Sequence, residues 1–270
     1  MKIAIQGIKG SYHHQLAQEL YGTTELVECK SFDALALAVS GGSASTAVMA
    51  IGNSIAGSIL PNYQLIKAHD LFINGESYLN INHQFMALKE QAIDDIEEVQ
   101  SHPMALLQCS RFLAQHPHIK VVETDDTAAA ARRIAKDGKM GVAAIASSLA
   151  ADLYDLETLA GDIQDTENNV TRFLTLGKVN FQVKKADKAT INFSVSHEAG
   201  SLGKILTIWG KLGINLSKIQ SIPITEKPFL FSFVADLEFE NTAIFKKSIS
   251  EVEPLTKSLM VLGIYKSKNL

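Results

Sequence analysis

The first part of this 270-residue chain alternates short apolar runs with polar, glycine-bearing turns. Lys2 to Gln6 reads as a strand. It leads through Gly7-Ile8-Lys9-Gly10-Ser11 into the helical spacing of Tyr12 to Tyr21, which Ser11 is placed to cap and Gly22 to end. Residues 26–29 make the next strand, and Ser31-Phe32-Asp33 opens a helix with a cap and an early acid. The small and branched residues 44–51 form a third strand that runs into the polar corner Gly52-Asn53-Ser54-Ile55-Ala56-Gly57-Ser58. Residues 64–73 and 76–88 read as extended, the second alternating Tyr78, Asn80 and Asn82 with Leu79, Ile81 and His83. A short strand at 99–103 precedes a helix starting near Pro103, which carries Leu106, Leu107 and Phe112 with Gln108 on a turn near its start. A strand at 119–122, a helix at 126–136, a strand at 141–145 and a helix at 149–153 follow. Repeated strand–helix units predict parallel sheets with right-handed crossovers, arranged as two α/β lobes around a cleft. The second lobe is inserted in the first, dividing residues 1–180 into about 1–75 with 161–180 and about 76–160.

The pattern changes after the charged stretch Lys184-Lys185-Ala186-Asp187-Lys188, and 181–188 reads as a linker between domains. Beyond it come a strand at 190–196, a helix at 201–212, strands at 214–222 and 229–239, a helix at 243–250 and a strand at 259–265. The first helix sets Leu202, Ile205, Leu206, Trp209 and Leu212 on one face, with Gly213 placed to end it. This βαββαβ order predicts an α+β, ferredoxin-like domain over 189–270, with no catalytic constellation.

Length agrees with about two domains. The 46% of hydrophobic residues can fill their cores, and 20% charged residues is ordinary. A net charge of -4 and a pI near 6.1 give no pull toward nucleic acid or anionic membrane, so neither is expected as a partner. An anionic ligand must be captured locally. No apolar stretch suits a bilayer span or a signal peptide, and Cys29 and Cys109 have neither metal-ligand nor redox spacing. A cytoplasmic location, without disulfides or a metal site, is the expectation.

Candidate chemistry concentrates in Asn168-Asn169-Val170-Thr171-Arg172-Phe173. Two amides, a hydroxyl and a guanidinium in succession need partners when buried, because each unpaired group costs about 1 to 3 kcal/mol. In a continuous strand Thr171 and Arg172 point to opposite faces, so a ligand touching both requires the chain to turn there and become regular only around Phe173. Arg172 suits a carboxylate, gripped by two parallel hydrogen bonds. An ordinary strand whose arginine pairs with a surface acid fits the same residues. The Gly10-Ser11 turn is either a second place for a carboxylate, at the unpaired donors of a helix N-terminus, or a plain connection. The Asn53-Ser54 corner lies beyond a strand's carboxyl end, where open α/β sheets bind ligands.

Three stretches then fall into a recognisable order: Gly7-Ile8-Lys9-Gly10-Ser11-Tyr12, Ser101-His102-Pro103 with Gln108-Cys109, and Asn169-Val170-Thr171-Arg172-Phe173. Ahead of a βαββαβ domain, they resemble a prephenate dehydratase with a C-terminal ACT regulatory domain, over nearly the whole length. The resemblance implies a two-lobed, periplasmic-binding-protein-like catalytic domain. It implies conversion of prephenate to phenylpyruvate, carbon dioxide and water in L-phenylalanine biosynthesis, with no metal or organic cofactor. It makes Thr171 the catalytic group, with Gly10, Ser11, Asn53, Ser54, Gln108, Arg172 and Phe173 around the substrate. Thr171 is expected to hydrogen-bond or protonate the departing hydroxyl, while Arg172 and helix N-termini hold carboxylate. Two positions depart from the family: its usual Glu before Asn53 is Gly52, and its usual Gln after His-Pro is Met104. A weak or inactive sensor of small carboxylates and a dehydratase of arogenate, the aminated substrate, are the alternatives. His13 and His14 are expected on a helix surface or edge, His102 as a turn or packing residue, and Cys109 as a buried apolar side chain.

In the small domain, Gly200-Ser201-Leu202 resembles the family's Gly-Ala-Leu turn, and Asn215-Leu216-Ser217-Lys218-Ile219 resembles the strand before its Glu-Ser-Arg-Pro effector motif. That motif reads Gln220-Ser221-Ile222-Pro223 here, without either charge. The resemblance implies L-phenylalanine as an allosteric effector held by Gly200, Ser201, Leu202, Asn215, Leu216, Gln220 and Ser221 at a subunit interface of a homodimer or homotetramer. A purely structural dimerisation module is the other reading.

Overall fold

The structure, a computed structural model, describes residues 1–181, 183–224 and 229–268. It divides into two compact units, Met1–Ser58 with Tyr78–Phe173, and Ile59–Ser77 with Leu174–Leu270. The chain opens with β1 (Lys2–Gln6), α1 (Tyr12–Tyr21), β2 (Glu25–Cys29), α2 (Phe32–Ser40), β3 (Thr46–Asn53) and β4 (Gly57–Ser58). It continues with α3 (Leu60–Ala68), β5 (Phe72–Asn80), β6 (Gln84–Ala87), β7 (Glu98–Ser101), α4 (Pro103–Gln108) and α5 (Ser110–Ala114). Then come β8 (Lys120–Glu123), α6 (Thr127–Asp137), β9 (Val142–Ala146), α7 (Ser148–Tyr154), β10 (Glu157–Ala160) and β11 (Val170–Gly177).

Strands β1 to β11 form two sheets. One runs β2-β1-β3-β11-β5, with β1 parallel to both β2 and β3. The hydroxyls of Ser11 and Ser31 accept the His14 and Ala34 N–H groups, so α1 and α2 begin at the caps their sequence announces. The other sheet runs β10-β6-β9-β7-β8. Here the expectation of parallel sheets is corrected. β7 is parallel to β8 and β9, whereas β6 is antiparallel to β9 and β10 to β6. Apolar helix faces cover this sheet, α6 with Ala128, Ala131 and Ile134 against Met86 and Ala144, and α4 with Ala105 and Leu106 against Val99 and Ile145.

Two further readings change. Of residues 64–73 only Phe72 and Ile73 are extended, at the start of β5, because α3 occupies Leu60–Ala68, with Pro61 in its first turn and Tyr63 and Ile66, one turn apart, buried. The single helix expected after Pro103 breaks at Cys109, which ends α4 and leads into α5. Asp165 occupies that break. Its carboxylate accepts Ser110 O–H at 2.5 Å and Arg111 N–H at 2.9 Å, while its own N–H reaches the Gln108 carbonyl at 2.6 Å. Gln108 therefore ends α4 instead of lying near its start.

In the second unit β12 (Lys188–Val195), α8 (Ser201–Lys211), β13 (Asn215–Pro223), β14 (Phe231–Glu238), α9 (Thr242–Val252) and β15 (Thr256–Tyr265) form the expected ferredoxin-like arrangement. Its antiparallel sheet runs β13-β14-β12-β15. Ile205 and Trp209 of α8 and Phe245 and Val252 of α9 pack on Ile191, Phe193, Ala235 and Leu237. Lys188 and Ala186, from the charged stretch, are buried. Lys188 Nζ lies 3.1 Å from Glu76 Oε1 on β5, which also accepts the Lys268 N–H at 3.2 Å. Gly263 of β15 runs so close to β5 that a Cβ there would overlap the Ile73 carbonyl oxygen. Gln182 of the expected linker, and Asn269 and Leu270 at the end of the small domain, lie outside the described residues. Among the described residues no helix is long and apolar enough to cross a membrane.

Candidate active site

Asn53 ends β3 and folds back on itself, its Oδ1 accepting the backbone N–H groups of Ile55 and Ala56, both at 2.9 Å. A backbone N–H can only donate, so these two bonds fix which end of the amide is oxygen. Nδ2 is left to face Asn169 Oδ1 at 2.7 Å and Thr171 Oγ1 at 2.9 Å. Orientation then passes along the chain of amides. Asn169, wholly buried, donates through its own Nδ2 to Gln108 Oε1 at 3.0 Å. His83 Nε2 lies 3.0 Å from that same oxygen, and the Tyr12 hydroxyl 2.7 Å from His83 Nδ1. Residues from β3, α4, β11, α1 and the loop after β5 are thus joined in one network.

Two donors remain unspent in it. Thr171 accepts from Asn53 and keeps its own O–H, and Gln108 accepts twice through oxygen and keeps its NH2. Among the described residues neither group has an acceptor. Burial drives the Tyr12 phenol well above its ordinary pKa, so it stays an O–H donor. Burial also lowers the His83 imidazole, opposed by its bond to Gln108.

The other expected site residues have different duties. Ser54 latches β11, its hydroxyl donating to the Asn168 carbonyl at 2.8 Å and accepting the Val170 N–H at 2.9 Å. Gly10 was expected to bring a backbone N–H to a ligand, but that N–H is spent on His14 Nδ1 at 3.0 Å. Its carbonyl takes the Ser147 hydroxyl at 2.6 Å, and with φ at +90° a Cβ would meet Ala150 and Tyr154 at 3.2 Å. Gly10 is a joint. Ser11 caps α1 and, among the described residues, keeps its own O–H without an acceptor.

β11 is regular from Val170, three residues earlier than contact of Thr171 and Arg172 with one ligand would require. Thr171 and Phe173 therefore share a face and Arg172 takes the other. Phe173 is buried edge-on against His13, ring centres 5.0 Å apart, so it braces the site without lining it. His13 is not at a helix surface. It is buried, accepts the Ala50 N–H at 3.3 Å, and has its pKa pushed by burial from 6.5 to about 3. His102 caps α4 by accepting the Met104 N–H at 3.2 Å. Cys109 is buried, its thiol pushed up to about 12 by burial and then by Asp165. Among the described residues no cluster of His, Cys, Asp and Glu is placed to hold a metal ion.

The model of the family described as "Prephenate dehydratase" matches residues 3–180. The chain belongs to the prephenate dehydratase family. It is 35% identical to "Arogenate dehydratase/prephenate dehydratase 2, chloroplastic" of Arabidopsis thaliana, over 98% of this chain and 72% of that protein. Among solved structures it is similar to that of GqqA, described as "a novel type of quorum quenching acylases". The TM-score is 0.90 at 26% identity, over 99% of this chain and 98% of that one. It shares the fold of the prephenate dehydratase from Arthrobacter aurescens in complex with L-Phe, with a TM-score of 0.89 at 24% identity, over 99% of this chain and 90% of that one.

Set against the prephenate dehydratase family pattern, Gly52 lies on β3 opposite Ser58, where a Cβ would come 3.3 Å from the Gly57 carbonyl oxygen. Met104 is exposed in the first turn of α4. Of the expected effector residues, Gly200 holds a left-handed φ of +81° and Ser201 donates to the Ser196 carbonyl at 2.8 Å, at the end of the sheet where β12 finishes. Ser221 is at that end, sharing a cavity of about 430 Å³ with Ser196 and His197. Asn215 and Leu216 pair with Glu238 and Leu237 at the other end, roughly 20 Å along β13. One chain does not bring the two groups together.

Two members of the network, Tyr12 and His83, escaped the sequence. Tyr12 and Asn169 stand inside the quoted motifs, but nothing in their spacing says that they are linked. His83 gave no signal beyond a place in an alternating segment.

Proposed function

We propose that the chain binds prephenate with hydrogen-bond donors and expels its ring hydroxyl with the help of Thr171, giving phenylpyruvate, carbon dioxide and water. Family membership places this decarboxylating dehydration on the route to L-phenylalanine. The bond to the ring carboxylate breaks, and its electron pair enters the ring. The ring becomes aromatic as the carbon–oxygen bond breaks, and one proton turns the departing hydroxide into water.

The observation that carries the reading is the bond from Asn53 Nδ2 into Thr171 Oγ1. It occupies the hydroxyl's acceptor side and leaves its proton for a ligand. A threonine hydroxyl is a poor acid, so its part is to stabilise charge on the leaving oxygen from a fixed position. The Gln108 NH2 and the Ser11 O–H are further neutral donors, whereas Arg172, on the opposite face of β11 from Thr171, does not share a ligand with it. Acyl transfer, which the likeness to GqqA brings to mind, would need a base to take the proton of Thr171. An amide NH2 that donates to its oxygen is the reverse of that.

The small domain is read as an ACT module that binds L-phenylalanine; the Arthrobacter aurescens prephenate dehydratase is described in complex with L-Phe. A single ligand touching both effector groups, at opposite ends of one sheet, requires a second chain. That favours a homodimer or homotetramer.

Incubation with prephenate, followed by the absorbance of phenylpyruvate in alkali, tests the central reading. Turnover of arogenate alone would change the substrate, and turnover of neither would overturn the proposal.

A further inference from the structure

We infer that His83 is a positioning residue of this site, holding Gln108 Oε1 with its Nε2–H so that Gln108 turns its NH2 toward the substrate. The inference rests on the dehydratase reading and extends it to a residue that does not reach the ligand. His83 is only 2% exposed and acts through Gln108.

The proton's place on the imidazole follows from bonds far from it. Ile55 and Ala56 fix the oxygen of Asn53, which fixes Asn169, which directs an N–H to Gln108 Oε1. Once that oxygen is an acceptor, an unprotonated His83 Nε2 at 3.0 Å would set two lone pairs against each other. Reversing Gln108 would set its NH2 against that of Asn169. Reversing Asn169 as well would set its NH2 against that of Asn53, which cannot turn without opposing two backbone N–H groups. With the imidazole neutral, as its burial favours, one arrangement satisfies every member, with the proton on Nε2 and Nδ1 bare to accept the Tyr12 O–H at 2.7 Å in preference to the Asn82 carbonyl at 3.1 Å. The ring is held as well as charged for this task. Tyr12 packs edge-on against it with centres 5.6 Å apart, and the His83 backbone N–H donates to Gln164 Oε1 at 2.8 Å.

The test compares two replacements that keep opposite halves of the imidazole. In His83→Gln the side-chain amide reaches the position of Nε2 and can donate to Gln108. In His83→Asn it stops near Nδ1 and serves Tyr12 alone. With prephenate, kcat/KM is expected to fall about thirtyfold in His83→Asn and to recover to within about threefold of the parent in His83→Gln, for loss of one hydrogen bond to a reacting group. On a Gln108→Ala background the two replacements should be indistinguishable. Nitrogen-15 spectra of the unaltered protein's imidazoles should show His83 protonated at Nε2 and bare at Nδ1, a readout that needs no substrate. Equal damage from both replacements in an active enzyme, or a proton on Nδ1, would overturn the inference while leaving the reaction standing. A parent protein silent toward prephenate and arogenate would remove the reaction itself, and the inference with it.

Discussion

Thr171 is held from behind, and removing its hydroxyl tests what that hold is for. Thr171→Val keeps the shape of the side chain and removes the donor. It should lower kcat for prephenate by about a hundredfold or more while KM stays within a few-fold, and Thr171→Ser should retain most of the rate. A rise in KM with kcat untouched would make Thr171 a binding group only. His13 makes a prediction of another kind. The unfolded chain takes up a proton on this residue below about pH 6.5 that the fold refuses until about pH 3, so stability is present above that window and is lost as pH falls through it. The slope from one such group is about 1.4 kcal/mol for each pH unit. His14 and His83, both lowered chiefly by burial, add in the same direction. His13→Gln keeps an acceptor for the Ala50 N–H and should flatten the decline of unfolding free energy between pH 6.5 and 4; an unchanged slope would exonerate His13. At this scale the sequence was a fair guide to residue types and a poor one to their duties. Thr171, Asn53 and Gln108 were legible as candidates, and the fold joins them in one hydrogen-bonded network, whereas strand alternation at β11 sets Arg172 opposite Thr171, and Phe173 and Ser54 serve the framework.

Among the elements, the strands and caps of β1, β2, α1, α2 and α6 could be read almost to the residue, because each is bounded by a serine, aspartate or glycine with a definite backbone role. The failures lie where tertiary partners decide. α3 carries only two buried hydrophobic side chains and looked extended, and Asp165, more than fifty residues downstream, interrupts the helix after Pro103. The charged run before β12 was legible as a break in pattern, but not as the source of a buried cation. Lys188 and Glu76 are almost inaccessible, with side chains 6% and 0% exposed. Lys188→Met leaves a buried carboxylate without its cation and should cost about 3 to 5 kcal/mol, with Glu76→Gln in the same chain recovering part of the loss. Denaturant unfolding followed by the emission of Trp209, the chain's one tryptophan, reads this directly. A loss under about 1 kcal/mol would mean that water reaches the pair.

For the molecule as a whole, the order of elements announced two α/β lobes and a ferredoxin-like module, since strand and helix periodicities alternate in one part and pair up in the other. Strand direction was less visible. β6 is the reversed strand, antiparallel to both β9 and β10, and the chain enters it from β5 with no helix between, which no local period records. Gln220 and Ile222 stand where the resembled family's effector motif is charged, so an amino acid held there would need other partners for its ammonium and carboxylate, and Lys257 lines the cavity beside Ser221. Added L-phenylalanine is expected to lower prephenate turnover and to change the hydrodynamic size of the protein. If neither moves, the regulatory reading fails.

The joint at Gly10 has a consequence for synthesis. Its carbonyl is met by the hydroxyl of Ser147, a residue added 137 positions later, and Asn53 waits 116 positions for Asn169. At ribosomal speeds of about 5 to 20 residues per second, the first corner stands open for roughly 7 to 27 seconds while the rest of its scaffold is being made. A nascent chain halted before Ser147 would expose an unfinished turn to chaperones and proteases, and the network around Asn53 would stay open until Asn169 arrives.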